Sequence, residues 1–207
     1  MKPFVILNEA TMQQGLAELA VQDDDLGRLW RQQGAPPFWF RDPGFATLIH
    51  IILEQQVSLA SAKAAFDKLL ALTGVLSPEI FLSLDNVTLK QVGFSRQKSA
   101  YGRFLAHAIL AGELDLEGLA ELENTAVRAE LTKIKGIGNW TANIYLLMAL
   151  RRADVWPSGD LAVAVAAQQV KGLPHRPKSD ELDHLAAQWA PWRSVAARLL
   201  WQHYLSR

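Results

Sequence analysis

Apolar residues recur along this chain at three- and four-residue intervals and almost nowhere at two, which predicts helices throughout and no strand of useful length. A helix is expected over residues 9–20. The acid run Asp23-Asp24-Asp25 follows, then a helix through Trp30, and Gly34-Ala35-Pro36-Pro37 breaks the chain before an extended Phe38-Trp39-Phe40. Phe45, Leu48, Ile49 and Ile52 mark a helix over 44–56, and Leu59, Ala62, Phe66 and Leu69 another ending near Gly74. Ser77-Pro78 is a helix start, with an N-cap serine and proline at the first position. A short helix over 86–91 ends at Gly93, and Ser95 caps the next, which buries Tyr101, Phe104, Leu105 and Ala108 and stops before Gly112. Asp115 caps a short helix, and Asn124 or Thr125 caps the one leading to Lys135. Residues 140–151 are apolar on most sides and predict a central buried helix. Asp160 opens a helix to near Gly172, Ser179 caps one to Trp189, and Pro191 starts the last, through Leu205. Phe4–Leu7 reads as a coil packed on the body. The sum is an all-α chain of ten or so short helices, two helical lobes flanking a cleft.

Composition narrows the function. The 207 residues suffice for one large or two small domains with a core. There is no cysteine, which excludes disulfides, thiolate zinc sites and an iron–sulfur cluster in this chain and fits a reducing cytoplasm. No apolar run reaches the roughly 18 residues of a membrane span, and the N-terminal apolar run has no small-residue cleavage site, so neither membrane insertion nor a signal peptide is expected. The net charge of zero weighs against nucleic-acid binding by bulk electrostatics, and leaves room for a protein that reads phosphates with backbone amides and a local basic strip. Trp140, Trp156, Trp189, Trp192 and Trp201 all fall in the last third, which suggests an aromatic pocket there.

The chemistry concentrates in residues 131–160. Gly136-Ile137-Gly138 makes a tight turn between two helices, and two glycines leave backbone N–H groups uncovered at a helix mouth, where the dipole favours an anion. Lys133 and Lys135 flank it. This predicts a phosphate grip on one DNA strand, with Thr141 just beyond the turn and Asp160 one helix further on. Asp160 could equally be a plain helix cap, a role compatible with chemistry. Asp154, the nearest competitor, reads as a surface loop residue. Arg96, Lys98 and Arg103 read as a solvated face or a second strip facing DNA. The five histidines have no metal-ligand spacing.

Three segments carry a family resemblance: Ile51–Ala60, Leu131–Asp160 with the turn Gly136–Ala142, and Trp189–Ser194. In that order, with an aspartate at the expected distance after the turn, they resemble the helix-hairpin-helix plus Gly/Pro…Asp signature of the DNA glycosylase superfamily. Within it the chain is most similar to the 3-methyladenine DNA glycosylase II (AlkA-type) branch. The resemblance implies that residues 41–207 form the glycosylase domain, with the hairpin at 131–142, and that 1–40 are a helical extension packed on it. The α/β domain that precedes this fold in AlkA-type enzymes is expected to be absent or vestigial.

The resemblance also implies roles. Asp160 would stabilise a cation-like sugar and orient the attacking water. Trp140 and Trp192 would stack on an extruded, positively charged purine. Gln55, Gln56, Ser58, Lys133, Lys135, Gly136, Ile137, Gly138 and Thr141 would contact DNA, with Gln56 in the place of the wedge that fills the gap left by the flipped nucleotide. The carbonyls of Thr132, Ile134 and Ile137 would bind a structural K⁺ or Na⁺. No cofactor is expected for catalysis. Relatives that also cut the strand carry a lysine where this chain has Trp140, so no Schiff base and no lyase step are expected. The expected protein is a cytoplasmic, bacterial-type, monomeric enzyme acting on damaged double-stranded DNA. A glycosylase for oxidised, deaminated or mispaired bases and a non-catalytic DNA-binding module remain as alternatives.

Overall fold

The computed structural model describes residues 4–206. Among these are twelve α-helices and one short 3-10 helix, Gly118–Glu121, and no strand beyond a single antiparallel bridge between Ile6 and Arg152. The helices are α1 Glu9–Gln22, α2 Asp24–Gln33, α3 Phe45–Glu54, α4 Leu59–Thr73, α5 Pro78–Ser83, α6 Asn86–Val92, α7 Arg96–Leu110, α8 Asn124–Thr132, α9 Asn139–Met148, α10 Leu161–Val170, α11 Ser179–Ala187 and α12 Arg193–Leu205. They form two compact units, one of residues 4–40 with 146–206, the other of residues 41–145. One boundary falls at 40/41 and a second within α9, so residues 41–206 are divided between the two units. Residues 4–40 are therefore no appendage: Leu7, Leu16, Leu19 and Leu26 share a core with Val163, Ala166, Val195 and Leu200, all at 0–1% exposure.

In the first unit, Phe4–Leu7 lies extended along residues 151–153, with Leu7 N–H donating to Arg151 O at 2.7 Å and Ala153 N–H to Val5 O at 3.0 Å. α12 is the central element here, because Ser194–Trp201 are all buried. It includes Arg198, whose guanidinium donates to the carbonyls of Phe38 (3.2 Å), Ser194 (3.3 Å) and Leu147 (2.8 Å), and whose pKa burial pulls down to about 9. The acid run is a junction. Asp23 caps α2 through Asp25 and Leu26 N–H and accepts from Lys171 Nζ (2.7 and 2.8 Å) and Trp189 Nε1 (2.7 Å).

In the second unit, α3 buries eight of its ten residues against α4 and α7. Two cations of the expected solvated strip are instead spent on helix ends. Lys98 Nζ donates to Leu53 O at the end of α3 (2.6 Å), and Arg103 donates to Leu82 O (3.4 Å) and Leu84 O (2.7 Å) at the end of α5. Unpaired C-terminal carbonyls attract cations, which explains both.

Several helix starts differ from the expected ones by a residue or two. Glu123, not Asn124 or Thr125, takes the N-cap position of α8. Lys178 takes that of α11, because the Glu181 carboxylate turns back to accept the Lys178 N–H at 2.8 Å. α12 starts at Arg193 with Trp192 before it, so Pro191 lies outside the helix.

Candidate nucleic-acid interface and carboxylate site

The hairpin turn lies in the second unit. α8 ends at Thr132, and the chain turns through Lys133–Gly138 into α9. Ile134 and Ile137 are buried at 8% and 3% exposure and pin the turn, and Ile137 N–H donates to Ile134 O at 3.0 Å. That corrects one expectation: the Ile137 amide is used inside the turn and its side chain is in the core, so neither is available to DNA.

The two glycines serve different ends. Gly136 has φ +99°, and a Cβ there would stand 2.1 Å from Cγ of Tyr101, so glycine is required by backbone conformation and by the ring beneath it. Gly138 is exposed, and a Cβ there would meet nothing within 4 Å. Its carbonyl accepts from Ala142 N–H at 3.0 Å, which makes it the residue ahead of α9. It has no side chain with which to cap the first-turn amides of α9, and the start of a helix favours an anion.

The polar side chains around the turn sort into two groups. Gln55 is half-buried, and its Nε2 donates to Gly136 O (2.9 Å) and Thr141 Oγ1 (3.0 Å). Thr141 is 2% exposed, so its side chain supports Gln55 and does not face DNA. Gln56 is exposed, and its φ of +57° is rare for a residue other than glycine. Ser58 caps α4 by accepting from Ser61 N–H at 3.2 Å. Lys133 and Lys135 are both exposed, the first pairing with Glu130 at 2.7 Å, the second 5.3 Å over the Phe104 ring. Trp140 is half-buried at the second position of α9.

The three turn carbonyls expected to bind a cation differ in their hydrogen bonding. Among the described residues no backbone amide donates to Thr132 O or Ile137 O, and Ile134 O takes one.

Asp160 lies in the first unit as the N-cap of α10, at 9% exposure. Its Oδ1 accepts from Val163 N–H at 3.0 Å and from Trp201 Nε1 at 3.2 Å. The sequence singles out Trp201 only as one of the five tryptophans of the last third, and it is the phase of α12 that sets its indole on Asp160. Trp192 is placed otherwise than expected. Its ring lies on Gly15, its indole donates to Glu18, and at 3% exposure it has no face left for a base. Asp154 is held by a two-point pair with Arg193 at 2.6 and 2.9 Å, which removes it as a rival carboxylate. Trp156 packs on Trp189 at 5.4 Å, and its buried indole N–H finds no acceptor among the described residues.

The comparisons with known proteins agree with one another. Residues 49–191 match the family model described as HhH-GPD superfamily base excision DNA repair protein. The chain is 30% identical over 162 residues to DNA-3-methyladenine glycosylase 1 of Schizosaccharomyces pombe, covering 76% of this chain and 71% of that one. It is 32% identical over 130 residues to the alkylbase DNA glycosidase-like protein mag2 of the same yeast, covering 61% of this chain and only 60% of that protein's length. Among solved structures it is similar to the S. pombe 3-methyladenine DNA glycosylase Mag1 in complex with abasic DNA, with a TM-score of 0.86 and 28% identity over 91% of this chain and 95% of that chain. The chain belongs to the HhH-GPD superfamily.

Proposed function

We propose that this HhH-GPD superfamily member is a monofunctional glycosylase that hydrolyses the N-glycosidic bond of alkylated purines, 3-methyladenine foremost, in double-stranded DNA. The observation that carries the reading is the Asp160 carboxylate, held at a helix N-terminus by Val163 N–H and the Trp201 indole. Relatives named as 3-methyladenine glycosylases, one of them solved on abasic DNA, support the choice of substrate.

The N-terminal end of α9 at Gly138 takes a phosphate of the damaged strand, assisted by Lys133 and Lys135. The lesion is extruded at a cost of a few kcal/mol, lowest at a weakly paired base, and Gln56 enters the gap. Trp140 stacks on the cationic purine, a contact worth about 0.5–2 kcal/mol that an uncharged base does not gain. The C1′–N bond then breaks, its electron pair leaving with the base. A purine alkylated at N3 or N7 thereby departs neutral and needs no strong general acid. Asp160 faces the positive charge left on the sugar and orients the water whose oxygen adds to C1′. Its proton passes to solvent.

Trp140 has no amine to form a Schiff base with the sugar, so the strand stays intact. The carbonyls of Thr132, Ile134 and Ile137 would hold a K⁺ or Na⁺ ion, which would add a positive charge beside the gripped phosphate. All these groups come from one chain, so no second copy is required.

Incubation with N-methylated duplex, followed by chromatography of free bases and a gel of the strand, tests the reading. Free 3-methyladenine is expected, with the strand intact until alkali is added. Release of oxidised or deaminated bases only would move the chain to a neutral-lesion enzyme. Tight binding without release would make it a DNA-binding module.

A further inference from the structure

Gln55 stands next to Gln56 in sequence but is committed elsewhere in space. A carboxamide NH₂ carries two hydrogens, and both are spent, on Gly136 O at 2.9 Å and Thr141 Oγ1 at 3.0 Å. One acceptor lies within the hairpin turn and the other in the first turn of α9, 81 and 86 residues downstream. The backbone then enters the left-handed region at Gln56, φ +57°, a conformation that costs about 1–2 kcal/mol outside glycine and persists only where neighbours impose it. The far side of Gln56 is fixed as well, because Ser58 caps α4. Only Gln56 and Val57 lie between the two anchors, and both are exposed.

A second connection runs beneath. Lys98 Nζ donates to Leu53 O at 2.6 Å, two residues before Gln55. Tyr101, one turn along α7 from Lys98, lies directly under Gly136. The end of α3, the Gln55 carboxamide, the turn at Gly136 and the helix bearing Tyr101 and Lys98 therefore close a ring of contacts. Every member belongs to the second unit.

We infer that Gln55 is a positioning residue: it ties the phosphate-gripping turn to Gln56, so that a strand seated at the turn fixes the point at which Gln56 enters the duplex. The inference rests on the proposed action on DNA. It replaces direct DNA contact by Gln55, whose donors are already engaged, and it explains why an exposed residue keeps an unfavourable backbone conformation.

The test is Gln55→Glu, which keeps the shape but sets an oxygen against Gly136 O, with the milder Thr141→Val, which removes one of the two acceptors. The probe is a duplex carrying an abasic-site analogue with 2-aminopurine beside it, whose fluorescence rises when its stack is opened. Gln55→Glu is expected to bind the duplex within about threefold of wild type, since Lys133, Lys135 and Gly138 are untouched. Its fluorescence rise is expected to fall to about a fifth or less, with Thr141→Val falling part of the way. An unchanged rise in both variants overturns the inference. So does a loss of affinity that matches the loss of signal, which would mean general damage to the turn. Should Gln55→Glu fail to fold, Thr141→Val decides alone by the same two readings. A wild-type protein that gives the full fluorescence rise but releases no base from methylated DNA would sink the glycosylase reading and leave this one standing.

Discussion

Two helices of this molecule begin in opposite ways. α9 follows Gly138, which has no side chain and no neighbour within 4 Å of where one would start. α10 follows Asp160, whose carboxylate fills the helix mouth and takes a second hydrogen bond from Trp201. Both ends carry the same partial positive charge. The residue ahead of α9 offers no side-chain acceptor, and the residue ahead of α10 supplies a carboxylate that takes the Val163 N–H. The difference teaches that a helix N-terminus is not a function in itself; what the chain puts in it, or withholds from it, decides which acceptor its amides can take.

The contrast can be broken at several points. Gly136→Ala should have the largest effect on the fold, because it forces a Cβ into the Tyr101 ring and strains the backbone. A loss of about 3 kcal/mol is expected in urea unfolding. Gly138→Ala should change stability by no more than about 0.5 kcal/mol, since the space is empty, while weakening duplex affinity about tenfold, or about 1.4 kcal/mol, in a titration at fixed salt. Equal stability losses in the two variants would erase the distinction between them. Trp201→Phe deletes one donor to Asp160 and should slow single-turnover base release by up to about tenfold with duplex affinity kept.

The smallest effect is a pH dependence far from the hairpin. Burial tends to raise the Asp23 pKa, but the bonds from Lys171, Trp189 and the Leu26 amide outweigh it and the net shift is downward. A depressed carboxylate contributes stability that is present above its unfolded value of 3.8 and is lost as pH falls through its lower folded value. Lys171 is shifted upward by Asp23 and Asp25 against its own desolvation, so its share is present below 10.5 and is lost as pH rises through its higher folded value. Asp23→Asn should therefore be less stable than wild type at neutral pH, and denaturant midpoints of the two should converge as pH falls below 3.8.

What the sequence made legible was local. Ser77, Ser95 and Asp160 cap the helices they precede, because a cap depends on a few residues in a row. The turn at Gly136 is readable for the same reason. The illegible parts depend on residues far apart. Lys98 and Arg103 look solvated until the ends of α3 and α5 arrive beside them. Trp192 and Trp201 are equally plausible aromatics in the chain, and only the start and phase of α12 turn one toward Glu18 and the other toward Asp160. Arg198 belongs on a surface by composition, and it is three backbone carbonyls that let it be buried. Gln55 looked like a DNA contact because its acceptors lie more than 80 residues away.

The most direct test is the single-turnover release of 3-methyladenine from methylated duplex by Asp160→Asn, with duplex affinity measured alongside. Asparagine also caps helices and can still accept from the Val163 amide and the Trp201 indole, so fold and affinity should hold. Release should drop by roughly a thousandfold, the scale of losing one charge-stabilising group at a reacting centre. Release at the wild-type rate from a folded, DNA-binding Asp160→Asn protein would contradict the assignment of the carboxylate, and with it the contrast between the two helix mouths.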